Sequence, residues 1–174
     1  MAVSHLGRPE TLSGTVAVGL CVTVVITVVV TGFPAGHALV VEDADTGEQL
    51  LSVPVDDGAE VELSYVHSVE KTPVEEVYVV AGTDLAHVRI EFHSYGAGLP
   101  STADVERTDD GAFVASVDRT YRQVYVSPGE IAGHDLTIDG ERHELLTLSE
   151  GETVRIYVTE QNPIDRVAQV MSDE

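Results

Sequence analysis

His87-Val88-Arg89-Ile90-Glu91-Phe92-His93 alternates polar and apolar side chains one for one. Val88, Ile90 and Phe92 then belong to one side of an extended chain, and His87, Arg89, Glu91 and His93 to the other. That is the signature of a half-buried strand. The same period of two recurs in Glu60–Tyr65, where Val61, Leu63 and Tyr65 alternate with Glu60, Glu62 and Ser64, and in Thr153–Thr159, where Val154, Ile156 and Val158 do so. Weaker strand patterns cover Leu39–Glu42, Gln49–Pro54, Glu76–Ala81, Gly111–Val117, Gln123–Val126, Leu136–Ile138 and His143–Leu148. Turn residues separate them, among them Asp45-Thr46-Gly47, Asp57-Gly58, Ala81-Gly82-Thr83, Ser127-Pro128-Gly129 and Asp139-Gly140. About ten short strands, roughly 8–12 residues apart and with no long helical window, predict an all-β fold, a β-sandwich or distorted barrel. That domain is expected over residues 38–160, with residues 161–174 as a tail. The tail has one short helical option around Ile164–Met171.

The N-terminal part is built differently. No Asp, Glu, Lys or Arg occurs from Thr11 to Val41, and Val16–Val30 reads VAVGLCVTVVITVVV. As a helix, residues 11–33 would be roughly 35 Å long at ~1.5 Å per residue, enough for a bilayer core of about 30 Å. Valine and threonine favour strands in water, but in lipid a helix satisfies every backbone group within one segment. The segment is longer than the apolar region of a secretory signal, so an uncleaved anchor is expected in preference to cleavage near Gly36-His37-Ala38. Cys21 reads as a small apolar residue within it. Arg8 and the amino terminus precede the segment, and no Lys or Arg follows until Lys71. This places residues 1–10 in the cytoplasm and the β domain outside the cell membrane, a single-pass topology.

Composition narrows the function further. The chain has 174 residues, 43% of them apolar, with 30 Asp+Glu against 9 Lys+Arg and a formal net charge of −21. Such a balance excludes a nucleic-acid binder that works by neutralising phosphates. One cysteine excludes a disulfide framework and a multi-cysteine metal site. The apolar content excludes the acidic disordered class. Acidic residues dispersed over the chain, with Lys71 as its one lysine, fit adaptation to molar salt, where repulsion is screened within about 3 Å.

Two stretches do not serve the sheet. The first is Tyr65-Val66-His67-Ser68-Val69-Glu70-Lys71-Thr72-Pro73-Val74-Glu75-Glu76, which begins as a strand and resumes one at Val77. Lys71, kept against the compositional bias, reads either as a structural ion pair with Glu70, Glu75 or Glu76, or as a point charge for an anionic group. The second is Ser94-Tyr95-Gly96-Ala97-Gly98-Leu99-Pro100, whose glycine amides could line an anion-holding concavity; it lacks the third glycine of a dinucleotide fingerprint. A tight loop with a buried Tyr95 is the plain alternative.

Together the two motifs resemble the DUF1850 family of small bacterial and archaeal proteins, many with an N-terminal membrane segment. The resemblance runs from about Leu39 to Val158. Its motif positions fall on His67, Ser68, Glu70, Lys71, Thr72, Pro73 and Glu76, then on Gly96, Gly98, Leu99 and Pro100. Family members are frequently encoded beside membrane subunits of TRAP transporters of the TAXI type. The resemblance therefore implies an accessory role in solute uptake, without supplying catalytic residues or a cofactor.

Catalytic arrangements are weaker. His67 with His93 and Glu75 or Glu76 would make a metal site only if their strands were neighbours, and no ligand spacing enforces it. His87 and His93, six residues apart on one strand, are separated by roughly 20 Å. Ser68 next to His67 points to the opposite side on a strand, and no nucleophile elbow is present. Asp43–Glu48 reads as a hairpin turn and not a calcium loop, which would put Pro54 in place of a bidentate Glu.

The expected function is a membrane-anchored, extracytoplasmic and non-catalytic accessory or binding protein of a solute transporter. Its candidate binding residues are His67, Ser68, Glu70, Lys71, Thr72, Glu76, Tyr95, Gly96, Gly98 and Leu99. Its partners would be the membrane, a TRAP membrane subunit or a small anionic solute. The alternatives are an enzyme or metal-dependent module using His67, Lys71 and Glu76, and a purely structural domain braced by an ion-pair network.

Overall fold

The computed structural model describes residues 36–94, 105–109 and 111–161. The predicted anchor at 11–33, the N-terminal residues 1–10, the tail beyond Gln161 and the Tyr95–Pro100 motif lie outside the described residues. Among the described residues, no helix is long and apolar enough to cross a membrane.

Two antiparallel sheets carry the described chain, as an all-β sandwich-like arrangement. The strands are β1 Gly36–Asp43, β2 Gln49–Val55, β3 Glu60–Val66, β4 Pro73–Ala81, β5 Asp84–Phe92 and β6 Val105–Arg107. They continue as β7 Phe113–Tyr121, β8 Gln123–Val126, β9 Asp135–Ile138, β10 Glu141–Glu144 and, after the short helix α1 Leu145–Leu148, β11 Val154–Gln161. The smaller sheet has the order β2-β1-β11-β8, and the larger β10-β9-β3-β4-β5-β7-β6. His143–Leu148, expected as one strand, is instead the end of β10 followed by α1. The apolar pair Leu145-Leu146 breaks the alternation, and Ser149 closes the helix by donating from both N–H and Oγ to the Leu145 carbonyl.

Inward-facing residues interdigitate as the period of two requires. Leu39 and Val41 of β1, Val154, Ile156 and Val158 of β11, Val61 and Leu63 of β3 and Leu136 and Ile138 of β9 form the main core. A second, smaller cluster of Val74, Ile90, Phe92 and Ala115 lies toward the other end of the larger sheet, and Tyr65 packs against both. The turns follow their chemistry. Asp139 and Gly140 both take positive φ (50° and 82°), as a two-residue β9–β10 hairpin demands. Asp43 Oδ1 accepts from the amides of Asp45 and Thr46, confirming a hairpin turn at Asp43–Glu48.

The stretch around His87 departs from simple alternation. The β4–β5 register shifts between Val77 and Tyr78, and the β5–β7 register between His87 and Arg89. Val88 is the extra residue relative to β4, and a bulge of this kind reverses which side chains face inward. His87 is therefore buried at 8% exposure and Val88 is exposed at 38%, the reverse of the sequence expectation. Ile90 and Phe92 keep their predicted side.

Both ends of the described domain leave from one pole. Gly36 pairs with Gln161, while His37 lies 4.0 Å from Asp57 of the β2–β3 turn, which accepts the Gly82 amide of the β4–β5 turn. At the opposite pole the β3–β4 loop meets the β8–β9 loop, joined by a hydrogen bond from Val66 N–H to the Ala132 carbonyl (2.7 Å).

Candidate functional site

His67 organises the β3–β4 loop. Its amide donates to the Thr72 carbonyl (2.8 Å), its carbonyl accepts from the Lys71 amide (2.9 Å), and its Nδ1 accepts from the amides of Val69 (3.3 Å) and Glu70 (3.2 Å). A ring nitrogen that accepts carries no proton, so in this arrangement the imidazole is protonated at Nε2. Ser68, Val69, Glu70 and Lys71 are all exposed. Lys71 sits at φ 57°, a left-handed conformation that costs a non-glycine residue about 1–2 kcal/mol. Thr72 Oγ1 lies 3.0 Å from Ser94 Oγ, so the chain leaves β5 toward the Tyr95–Pro100 motif from beside the first motif.

Of the three carboxylates proposed to pair with Lys71, Glu70 is exposed and makes no ion pair among the described residues, and Glu75 and Glu76 are occupied elsewhere. Glu75 faces outward and takes Arg89 Nη2 at 2.9 Å, with Glu91 on Nη1 at 3.5 Å. Glu76 faces inward, flanked across the sheet by Leu63 and Ile90. Its Oε1 accepts from Tyr65 OH (3.0 Å) and its Oε2 from Tyr78 OH (2.5 Å). Among the described residues Lys71 enters no ion pair. A structural network does exist in this motif, but tyrosines make it and the lysine is not part of it.

Glu76 is the centre of an inward-facing polar cluster at the junction of the two apolar clusters. Burial, reinforced by the charge and hydrogen bond of Glu76, pushes the Tyr65 and Tyr78 hydroxyls well above the ordinary phenol range. His87 stacks on Tyr78 with ring centroids 4.7 Å apart, and His134 stacks on Tyr65 at 5.1 Å. Burial lowers the pKa of both imidazoles, against the opposing pull of Glu76. His87 Nε2 lies 3.1 Å from the Arg89 carbonyl, which makes that nitrogen the donor.

The six candidate binding residues of the sequence reading that are described thus divide. His67, Ser68, Glu70, Lys71 and Thr72 share one loop at the pole, whereas Glu76 lies inside the sheet. It is three residue pairs along the ladder from the Val66–Pro73 pair, roughly 10 Å away. Its carboxylate is turned to the tyrosines and not to the loop. Tyr95, Gly96, Gly98 and Leu99 lie outside the described residues. Strands β3, β4 and β5 are neighbours, as a His67–His93 metal site requires, yet no group of three or more His, Cys, Asp or Glu among the described residues could hold a metal ion.

Sequence reasoning missed Tyr78, weighed His87 and His134 only as metal ligands, and gave Tyr65 to the apolar face of its strand. One signal was available. Val74, Glu76, Tyr78 and Val80 share one side of β4, so a carboxylate stands in an inward row and needs donors.

The model of the family DUF1850, a domain of unknown function, matches residues 61–145. That interval runs from β3 to the start of α1, narrower than Leu39–Val158, and contains the loop and the whole Glu76 cluster. No curated protein and no solved structure matches the chain.

Proposed function

We propose, for a chain that belongs to the DUF1850 family through residues 61–145, the role of a membrane-anchored extracytoplasmic accessory protein of a TRAP-type (TAXI) solute transporter. It binds and does not catalyse. Residues 11–33 are its anchor, and the β domain stands outside with its acidic surface in the external medium. A cut near Gly36-His37-Ala38 would remove the first rungs of β1, which pair with Gln161, Glu160 and Thr159, so retention of the anchor suits the fold.

One observation carries the reading. The exposed Lys71 is held in a left-handed turn with no ion pair among the described residues, while nearby Glu75 and Glu76 are engaged by Arg89 and the tyrosines. A cation kept without an internal partner is suited to an external one, here an acidic group of a transporter subunit or a solute. Within the β domain the loop lies at the pole opposite Gly36. Tethering raises the local concentration, and weak contacts then suffice.

The test is affinity purification of the full chain from membranes in high salt. The wild type carries the transporter's membrane subunit with it, and Lys71→Ala loses that subunit at an unchanged melting temperature. Retention of the subunit by Lys71→Ala overturns the role of the lysine. Protection of the β domain from protease in whole cells overturns its external location.

A further inference from the structure

Beyond the partner contact of Lys71, the pole holds a second feature, a cleft of about 650 Å³ between the β3–β4 and β8–β9 loops. This volume is in the range of small-molecule sites, about 300–1,000 Å³. Its back wall is the stacked pair Tyr65 and His134, with ring planes 26° apart. Ile131 and Glu130 form its rim on the β8–β9 loop, and Ser68 faces them from the motif loop. Ile131 is 68% exposed and so presents an apolar side chain at the cleft.

The charge of this cleft has a definite sign. Glu130 is the charged side chain that lines it, and it makes no ion pair among the described residues. Behind the wall, Glu76 Oε1 accepts a 3.0 Å hydrogen bond from the Tyr65 hydroxyl, which keeps its proton and is polarised by the carboxylate, enriching the phenol ring in electron density. Asp135 and Glu76 both act electrostatically on His134. Burial keeps that imidazole toward its neutral form, so it does not repel a cation. An electron-rich ring, a free-standing carboxylate and an apolar rim are the elements of organic-ammonium recognition.

The geometry points to this cleft as a binding site for a small solute with an ammonium head and an apolar body. The ammonium lies between Glu130 and the Tyr65 ring, and the body lies against Ile131. The site stands apart from the transporter contact and does not need it.

Three probes with one body and different charge test this on the full chain in detergent at about 2 M KCl, where diffuse attraction is screened to a few ångströms. They are 4-fluorophenethylamine, 4-fluorophenylalanine and 4-fluorophenylacetate, followed by ¹⁹F NMR titration. The amine is expected to bind at least about tenfold more tightly than the acetate. Glu130→Gln and Ile131→Lys, both at exposed positions, each weaken the amine by at least about fivefold, whereas Glu106→Gln on β6 leaves it unchanged. Lys71→Ala leaves binding of the amine unchanged, because that lysine does not line the cleft. Equal binding of all three probes, preference for the acetate, or an equal loss in Glu106→Gln overturns the site. Because the readout is the purified chain alone, failure here and failure to retain a transporter subunit are separate results.

Discussion

Replacing Glu76 by leucine removes the acceptor of two tyrosine hydroxyls at once. Tyr78 is 5% exposed and Tyr65 half-buried, so the first hydroxyl cannot turn to bulk water and the second can do so only in part. Leaving a buried donor unsatisfied costs about 1–3 kcal/mol. With Tyr65 at the low end, the pair gives about 2–4 kcal/mol. For a domain of this size each kcal/mol is roughly 3–5 °C in Tm, so a fall of about 6–20 °C is expected. Glu76→Gln keeps one carbonyl acceptor and should lose about half as much. In the Glu76→Leu background, Tyr65→Phe and Tyr78→Phe should cost little more, because their hydroxyls are already unpaired; in the wild type each leaves the carboxylate short of a donor. Thermal unfolding of the full chain in molar salt, followed by near-UV circular dichroism, reads this cycle. A Tm for Glu76→Leu within about 2 °C of wild type would refute the claim that the tyrosine clamp holds the junction of the two apolar clusters.

The remaining expectations use the same melting assay. His87 and His134 have pKa values lowered by burial, so their contribution is complete above the ordinary histidine pKa of about 6.5 and is lost as pH falls through their folded-state values. Tm should therefore drop on acidification below about pH 6.5, and His134→Phe should reduce that drop; a flat profile to about pH 5 contradicts it. Glu75 and Glu91 are directly opposed across β4 and β5 with Arg89 between them, so Arg89→Ala should destabilise by about 0.5–1 kcal/mol in dilute salt and by less near 3 M. For the wild type, Tm should rise between about 0.1 M and 3 M salt as repulsion within a chain of charge −21 is screened, and a constant Tm would argue against adaptation to salt.

The sequence made the strand class legible because one face of each strand is buried, and burial imposes the period of two. Val61, Leu63, Val154, Ile156 and Val158 face inward as their alternation requires. Val88 and His87 escaped because a bulge changes the phase of a strand without changing its composition. The loop His67–Thr72 was visible as a run that breaks alternation, and its exposed Lys71 as a residue kept against bias. Glu76 was visible only as part of that run, since its true setting depends on Tyr65, eleven residues earlier and on the adjacent strand. Glu130, Ile131 and His134 reach the pole from the β8–β9 loop, far along the chain, and nothing local to them indicates a cleft.

Lys71→Gly is the most direct test of the motif loop as a binding surface and not a brace. Glycine adopts φ 57° without the steric cost that lysine bears, while adding about 0.5–1 kcal/mol of entropy to the unfolded chain, so the two effects nearly cancel or leave a small gain. The account predicts a Tm equal to wild type or a few degrees higher, together with loss of the transporter subunit on purification. A lower Tm with the subunit retained would contradict it.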